Sequence, residues 1–227
     1  VTGLTVTASE LRSVVEPVIG LVDAGSAVYA LTGVRLRTEE AYLIAEGAGQ
    51  FALGQCRQII DQPGELDVLL PLDALQQVMR EVAVAADRRP LVDFRVESPG
   101  RLTVVVRSRP DVNAAAFAFE LMDHTQFPDL AKPFLKAIQS PASHRTAAAL
   151  TLAQLDAFRA VEHPLSNPDD YPLVILPGQR RADPVLVTCG HHFIGLVTPR
   201  QELRPGTRHR RAAVMARDLD GWGALLS

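Results

Sequence analysis

The chain is poor in cysteine, has no long apolar run and carries no excess of charge, and each shortage closes off a class of protein. Two cysteines in 227 residues, Cys56 and Cys189, cannot build a disulfide framework, so a reducing compartment is expected. No apolar stretch reaches the length of a membrane-spanning helix, and the N-terminus lacks the charged-then-apolar pattern of a secretory signal. The reading is a cytoplasmic protein with no membrane partner. A net charge of −3 and an isoelectric point near 6.1 give no whole-molecule signature of nucleic-acid binding. An acidic chain can still be basic along one face. With 47% hydrophobic and 22% charged residues, the composition is that of a globular protein with an ample core, in one large domain or two modest ones.

Catalytic constellations are equally scarce. Cys189-Gly190-His191-His192 is the one cluster with metal-ligand residue types. Alternation along a strand would put Cys189 and His191 on one face, but a metal site needs three or four converging ligands and no second cluster stands out. A metal-dependent hydrolase at these residues is therefore the weakest of three functional readings. Gly47-Ala48-Gly49-Gln50 precedes strand-like Phe51-Ala52-Leu53 rather than a helix, which favours a hairpin turn over a phosphate cradle. Asp169-Asp170, after Asn167-Pro168, reads as a solvated turn. No catalytic residue, metal or cofactor is assigned.

What the sequence does contain is repetition. Three segments share one plan of short strand, brief step, amphipathic helix and further strands. The first is Leu4 to Thr7, then a helix over about Ser9 to Val22 with Leu11, Val14, Val15, Val18, Ile19 and Val22 on one stripe. Ser9 reads as its N-cap, and Pro17 should bend or break it. The second is Asp67 to Leu70, then Pro71 opening a helix that carries Leu72, Leu75, Val78, Met79 and Val82. The third is Ala148 to Leu150, with Thr151 capping a helix through Leu152, Leu155, Phe158 and Val161. Alternation marks further strands at Val28 to Arg37, Ala41 to Glu46, Leu91 to Glu97, Arg101 to Ser108, Ala115 to Leu121, Leu173 to Leu176, Val185 to Thr188 and His192 to Thr198. Ser98-Pro99-Gly100 reads as a hairpin connection. The divisions are 1–135 with two repeat units, a linker at 136–147, a second domain at 148–200 with at least one unit, and 201–227.

Basic residues cluster on the repeats. Arg12, Arg80 and Arg159 lie on the polar sides of the three helices, with Gln76 and Gln77 beside Arg80. Arg88 and Arg89 end the second unit, and Lys132 and Lys136 follow Phe127-Pro128-Asp129. Helices sharing one surface would let these side chains meet phosphates without reading bases, although Glu10, Glu16, Glu81 and Asp156 share the same faces. Arg200, Arg204, Arg208, Arg210 and Arg211 are denser, and read either as a DNA-contacting tail or as a solvated link. Val214, Met215, Leu219, Trp222, Leu225 and Leu226 then suggest a terminal helix that docks on its own domain or on a partner.

The order of elements, with Leu31-Thr32-Gly33-Val34, Leu43-Ile44-Ala45-Glu46-Gly47 and the closing Phe127-Pro128-Asp129-Leu130, resembles the second domain of the bacterial beta sliding clamp. Phe193-Ile194-Gly195-Leu196-Val197-Thr198-Pro199-Arg200 is similar to that family's final strand. The family's Ala-Thr-Asp-Gly-His-Arg-Leu-Ala segment reads here Ala45-Glu46-Gly47-Ala48-Gly49-Gln50-Phe51-Ala52, with only the flanking alanines kept. The resemblance implies an α+β DNA-clamp fold of repeated strand-helix-strands units, with antiparallel sheets outside and helices facing inward. It implies a homo-oligomeric processivity factor that encircles double-stranded DNA without sequence preference and docks a DNA polymerase, a clamp loader or other clamp-binding peptides. DNA contacts would come from Arg12, Gln77, Arg80, Lys132, Lys136 and Arg159. The partner pocket would fall at Phe51, Pro133, Leu135, Leu196 and Thr198. Rings of this family hold twelve units, which means four chains of three units or three chains of four; chain length favours the trimer of short two-domain clamps, as in phages. The alternative is a clamp-derived interaction or regulatory protein that holds a partner without encircling DNA.

Overall fold

A computed structural model describes residues 2–62, 64–85, 90–98, 100–109, 112–139, 150–161, 172–179 and 183–199. Three units run in chain order. Unit one is β1 (Thr2–Thr7), α1 (Ala8–Ile19), β2 (Gly33–Glu39), β3 (Tyr42–Ala48) and β4 (Ala52–Ile59). Unit two is β5 (Asp67–Pro71), α2 (Leu72–Val84), β6 (Leu91–Ser98), β7 (Arg101–Arg109) and β8 (Val112–Glu120). A helix α3 (Ala131–Ile138) leads to unit three, α4 (Leu152–Asp156), β9 (Leu173–Leu176), β10 (Val185–Cys189) and β11 (Phe193–Val197). Among the described residues the fold is α+β with two antiparallel sheets and four α-helices, as the resemblance implied.

Capping explains where the helices begin. Thr7, not Ser9, caps α1: its hydroxyl accepts from the Glu10 N–H at 3.2 Å, and the Glu10 carboxylate accepts from the Thr7 N–H at 2.6 Å. This reciprocal box satisfies two donors that a helix start leaves without partners. Thr151 caps α4 in the same manner through Gln154. The apolar spacing expected of one helix through Val161 is split, because α4 ends at Asp156 and a 3-10 turn follows at Arg159–Val161. A second 3-10 turn, Tyr29–Thr32, occupies the start of the strand expected from Val28, since the Leu31 N–H turns back to the Val28 carbonyl.

Pro17 does not break α1. Proline lacks the N–H that would reach the carbonyl four residues back, and that carbonyl belongs to Ser13. The Cys56 thiol donates to it at 3.3 Å, so the orphaned acceptor is satisfied from β4 and the helix continues to Ile19.

One sheet has the order β1-β6-β7-β8 and the other β5-β2-β3-β4-β11-β10-β9. Units one and two are related by exchange: β1 of unit one pairs in unit two, and β5 of unit two pairs in unit one. Unit three joins edge to edge, β11 lying antiparallel on β4 with Phe193 opposite Cys56 and Val197 opposite Ala52. The inner face of the larger sheet carries Val34, Leu36, Leu43, Ala45, Cys56, Val185, Val187, Phe193 and Val197 in one core with α1, α2 and Phe158. α1 touches α2 on one side and the turn after α4 on the other, so the helices form a row on that face.

A line of glycines makes this seat. Gly47 lies opposite Gly54, and Gly54 opposite Gly195, across β3, β4 and β11. A Cβ at Gly47 would stand 2.5 Å from the Val18 carbonyl oxygen, one at Gly54 2.5 Å from Leu21, and one at Gly195 2.8 Å from the Phe158 ring. The trough admits the end of α1 and the Phe158 ring at the junction of units one and three. Gly54→Val forces methyl groups into Leu21 and Phe193, and overpacking of this kind costs about 1–3 kcal/mol. Urea unfolding should show that loss, whereas a threonine at exposed Ile59 on the same strand should leave the midpoint in place.

Candidate functional site

The large sheet has two chemically distinct sides. On the helix side, Arg12 sits on α1 and donates to Glu16 at 2.8 Å, one turn along. Gln77 and Arg80 are exposed on α2. Arg159 is exposed in the turn after α4, 3.0 Å from Asp156. Because α1 lies between α2 and the turn after α4, these four residues belong to one helical layer. Lys132 and Lys136 do not. They are exposed on α3, Lys132 lying 3.3 Å from Asp129, and α3 packs on the opposite side of the sheet against β10 and β11. The structure therefore separates the six sequence-derived cationic and amide positions into four and two.

That outer side has an ionic half and an apolar half. Arg35 donates to both carboxylate oxygens of Asp67, each at 2.8 Å, and its hydrogen bonds hold the Asp67 pKa below the usual aspartate value. Arg35 and Arg37 converge on Glu46 at 3.5 and 3.2 Å. Glu46 is buried, and a buried carboxylate persists only when paired in this way. On the apolar half the register aligns Ala48, Leu53, Leu196, Leu186 and Leu176 across five strands. Above them lies a second core of Met122, Phe127, Leu130 and Phe134. The Phe127-Pro128-Asp129-Leu130 segment is thus the start of a strap that crosses the junction of units one and three.

The expected pocket residues divide accordingly. Leu196 is buried in the cluster with Phe134, so it contributes to a packed core rather than to an open cavity. Pro133 is half-buried, and Phe51, Leu135 and Thr198 are exposed. Phe51 and Thr198 are tied by a backbone hydrogen bond of 2.8 Å, the Thr198 N–H donating to the Phe51 carbonyl. Sequence reading missed Phe134 and Ile138. The spacing of Leu130, Phe134 and Ala137 is the helical signal that could have found the first; Ile138 is exposed beside Leu135 on the same helix. Pro133 is compatible with that helix because it lies in the first turn, where the N–H has no intrahelical partner.

The Cys-Gly-His-His segment is not a strand face. β10 ends at Cys189, and the chain turns through Gly190 at φ 51°, so His191 leaves the line of Cys189. The His191 carbonyl accepts from the Arg57 side chain at 2.9 Å. Cys189 and Cys56 are both buried on the inner face, and beside Cys56, Ser13 and Pro17 line a small recess with His192 and Phe193. Among the described residues no group of three His, Cys, Asp or Glu could hold a metal ion, and no helix is long and apolar enough to cross a membrane. Arg88, Arg89, Pro99, Asp169-Asp170, the arginines from Arg200 to Arg211 and the Trp222 segment lie outside the described residues.

Comparison with known proteins gives the fold. No family model and no curated protein matches the sequence. Among solved structures, the chain is similar to a DNA polymerase sliding clamp from Bacillus subtilis, with TM-score 0.65 and 14% identity over 88% of this chain and 64% of that one. A sliding clamp from Pseudomonas aeruginosa solved with a ligand gives TM-score 0.63 and 10% identity, covering 88% and 66%. The DNA polymerase III beta subunit of Thermotoga maritima gives 0.63 and 12%, covering 92% and 67%. The chain has the sliding-clamp fold and spans about two thirds of the length of these structures.

Two outcomes test this description. Phe134→Ala should lower the unfolding free energy by about 3–5 kcal/mol, the cost of deleting a buried aromatic ring, as read by urea titration. The Cys56 thiol is pushed up from 9.0 to about 12, first by burial. Its folded pKa is raised, so its contribution is complete below the unfolded value and is lost as pH rises from about 9 to about 12. Thermal melts across that range should fall less steeply for Cys56→Ala than for the parent chain.

Proposed function

We propose that this protein is a sliding-clamp-type processivity factor, whose copies join into a homo-oligomeric ring around duplex DNA with α2, α1 and α4 toward the nucleic acid. The observation that carries the reading is the β4–β11 ladder. One unit continues another's sheet edge to edge while their helices remain side by side on one face, and a closed ring repeats that construction. β8 is the counterpart of β4 in unit two, so its outer edge is where a further unit would continue. The likeness to solved sliding clamps supports this reading.

Arg12, Gln77, Arg80 and Arg159 would meet phosphates without base readout. The partial neutralisation of Arg12 and Arg159 by Glu16 and Asp156 suits a ring held by topology, which slides more freely when each phosphate contact is weak. Lys132 and Lys136 belong to the other side of the sheet and serve no contact in the channel. The role is mechanical rather than catalytic, in the cytoplasm. A polymerase, a clamp loader or other clamp-binding peptides would dock on the outer side, around the exposed Phe51, Leu135 and Thr198 with Pro133 beside them. With the three units that the described residues form, a twelve-unit ring takes four chains; the trimer suggested by chain length needs a fourth unit.

A second reading is favoured by one observation, the burial of Leu196 beside Phe134, which fills the place where the resemblance implies a pocket. In that reading the chain is a clamp-derived interaction or regulatory protein that does not encircle DNA. The two are separated by retention on DNA. A ring stays on a nicked circular plasmid in high salt and is released when the plasmid is linearised; a non-encircling protein leaves both alike. For direct binding to short duplex, the Arg12→Ala, Arg80→Ala, Arg159→Ala triple variant should lower the slope of log affinity against log salt by about 3, roughly one unit per lost phosphate contact.

A further inference from the structure

In units one and two, the first strand after each helix carries a fourth strand on its outer side. β2 carries β5, and β6 carries β1, both antiparallel. In neither case does a unit fill its own position: β1 runs into α1 and pairs with β6, while β5 runs into α2 and pairs with β2. β9 holds the equivalent position in unit three, and no strand among the described residues lies beyond it. Its sequence, Leu173-Val174-Ile175-Leu176, carries no charge. Val174, Ile175 and Leu176 are 41%, 41% and 46% exposed, on alternate sides of the sheet. An uncharged apolar edge with open backbone donors and acceptors is a template for one more strand. Leu150 and Thr151 lead into α4 as the ends of β1 and β5 lead into α1 and α2, yet they lie in no strand.

We propose that β9 is the seat of a second copy of this chain. Two third units would pack about a two-fold axis, each bringing Leu150 and Thr151, which lead into its α4, to the β9 of the other. The exchange seen between units one and two would then recur between identical units. A second copy fits better than any other occupant for two reasons. The donor in both filled positions is the residue run entering a sibling unit's helix, and the described chain has no sibling for unit three. An identical unit also offers donor and acceptor together, the condition for a self-complementary contact.

The pleat sets the register. Val6 lies opposite Val92 and Leu70 opposite Val34, all buried on the helix side. In unit three the residues on that side are Leu173 and Ile175, because they pair with the inward-facing Cys189 and Val187. Leu150 already packs against the same core, so Leu150 of one copy stands opposite Leu173 of the other. The contact rests on sheet topology and not on the DNA reading, and it is measured without DNA.

The test uses the full 227-residue chain. Light scattering across a wide concentration range should give an even multiple of the 24.6 kDa chain mass. Ile175→Lys, which places a charge at this seam, should halve the smallest assembly while the circular dichroism spectrum stays unchanged. Mild oxidation of the Leu150→Cys, Leu173→Cys double variant should give a covalent dimer that a reductant reverses, and neither single variant should. A single-chain mass at every concentration overturns the proposal. So does a trimer, a mass that Ile175→Lys leaves unchanged, or a cysteine link that closes within one chain or does not form.

Discussion

The rest of the structure depends on how closely α1 approaches the sheet where β4 meets β11. The glycines at 47, 54 and 195 remove three side chains in a row, and the end of α1 and the Phe158 ring enter the space. Without that trough the third unit would have a backbone ladder to β4 but no packed inner face. Ladder hydrogen bonds alone contribute modest net stability, whereas burial of Phe158, Val187, Phe193 and Val197 supplies the larger hydrophobic term. The junction is therefore a core that happens to cross a unit boundary, and it aligns the helices of successive units on one side.

The same junction organises the outer side. Leu53, Leu196 and Leu186 align across it, and the strap from Phe127 to α3 covers them with Phe134. Farther along the sheet, Arg35, Arg37, Glu46 and Asp67 replace apolar contacts with paired charges. The division assigns separate work to separate surfaces. The helix side offers dispersed polar contacts, and the outer side offers apolar exposure around Phe51, Leu135 and Ile138 next to a rigid ionic patch.

Local chemistry inside the first unit shows how one constraint recruits another. Pro17 removes a helical donor, and Ser13 is left with a carbonyl to satisfy. Cys56 meets it, and the same burial that permits this contact holds the thiol protonated, so that it stays a donor. Burial thus disfavours the thiolate, which is the nucleophilic form of a cysteine.

The repeat plan was legible in the sequence because helical period and strand alternation are local signals. Leu11, Val14, Val15 and Val18 marked the buried stripe of α1, Leu75, Val78 and Val82 that of α2, and Thr151 the start of α4. The cap at Thr7 was misplaced to Ser9 because the reciprocal bond to Glu10 depends on which residue leaves the strand. Cationic positions could be named from helix faces, but not their grouping: α3 is reached through a strap that crosses to the far side of the sheet, and nothing local to Lys132 or Lys136 encodes that crossing. Leu196 was legible as an apolar strand residue, while its cover, Phe134, lies 62 positions earlier in the chain. By itself the sequence determined the elements and their apolar faces, because those depend on neighbours within a few residues. Only the tertiary structure decided which edges meet, which glycines align and which surface each charge occupies, because those depend on contacts between strands far apart in the chain.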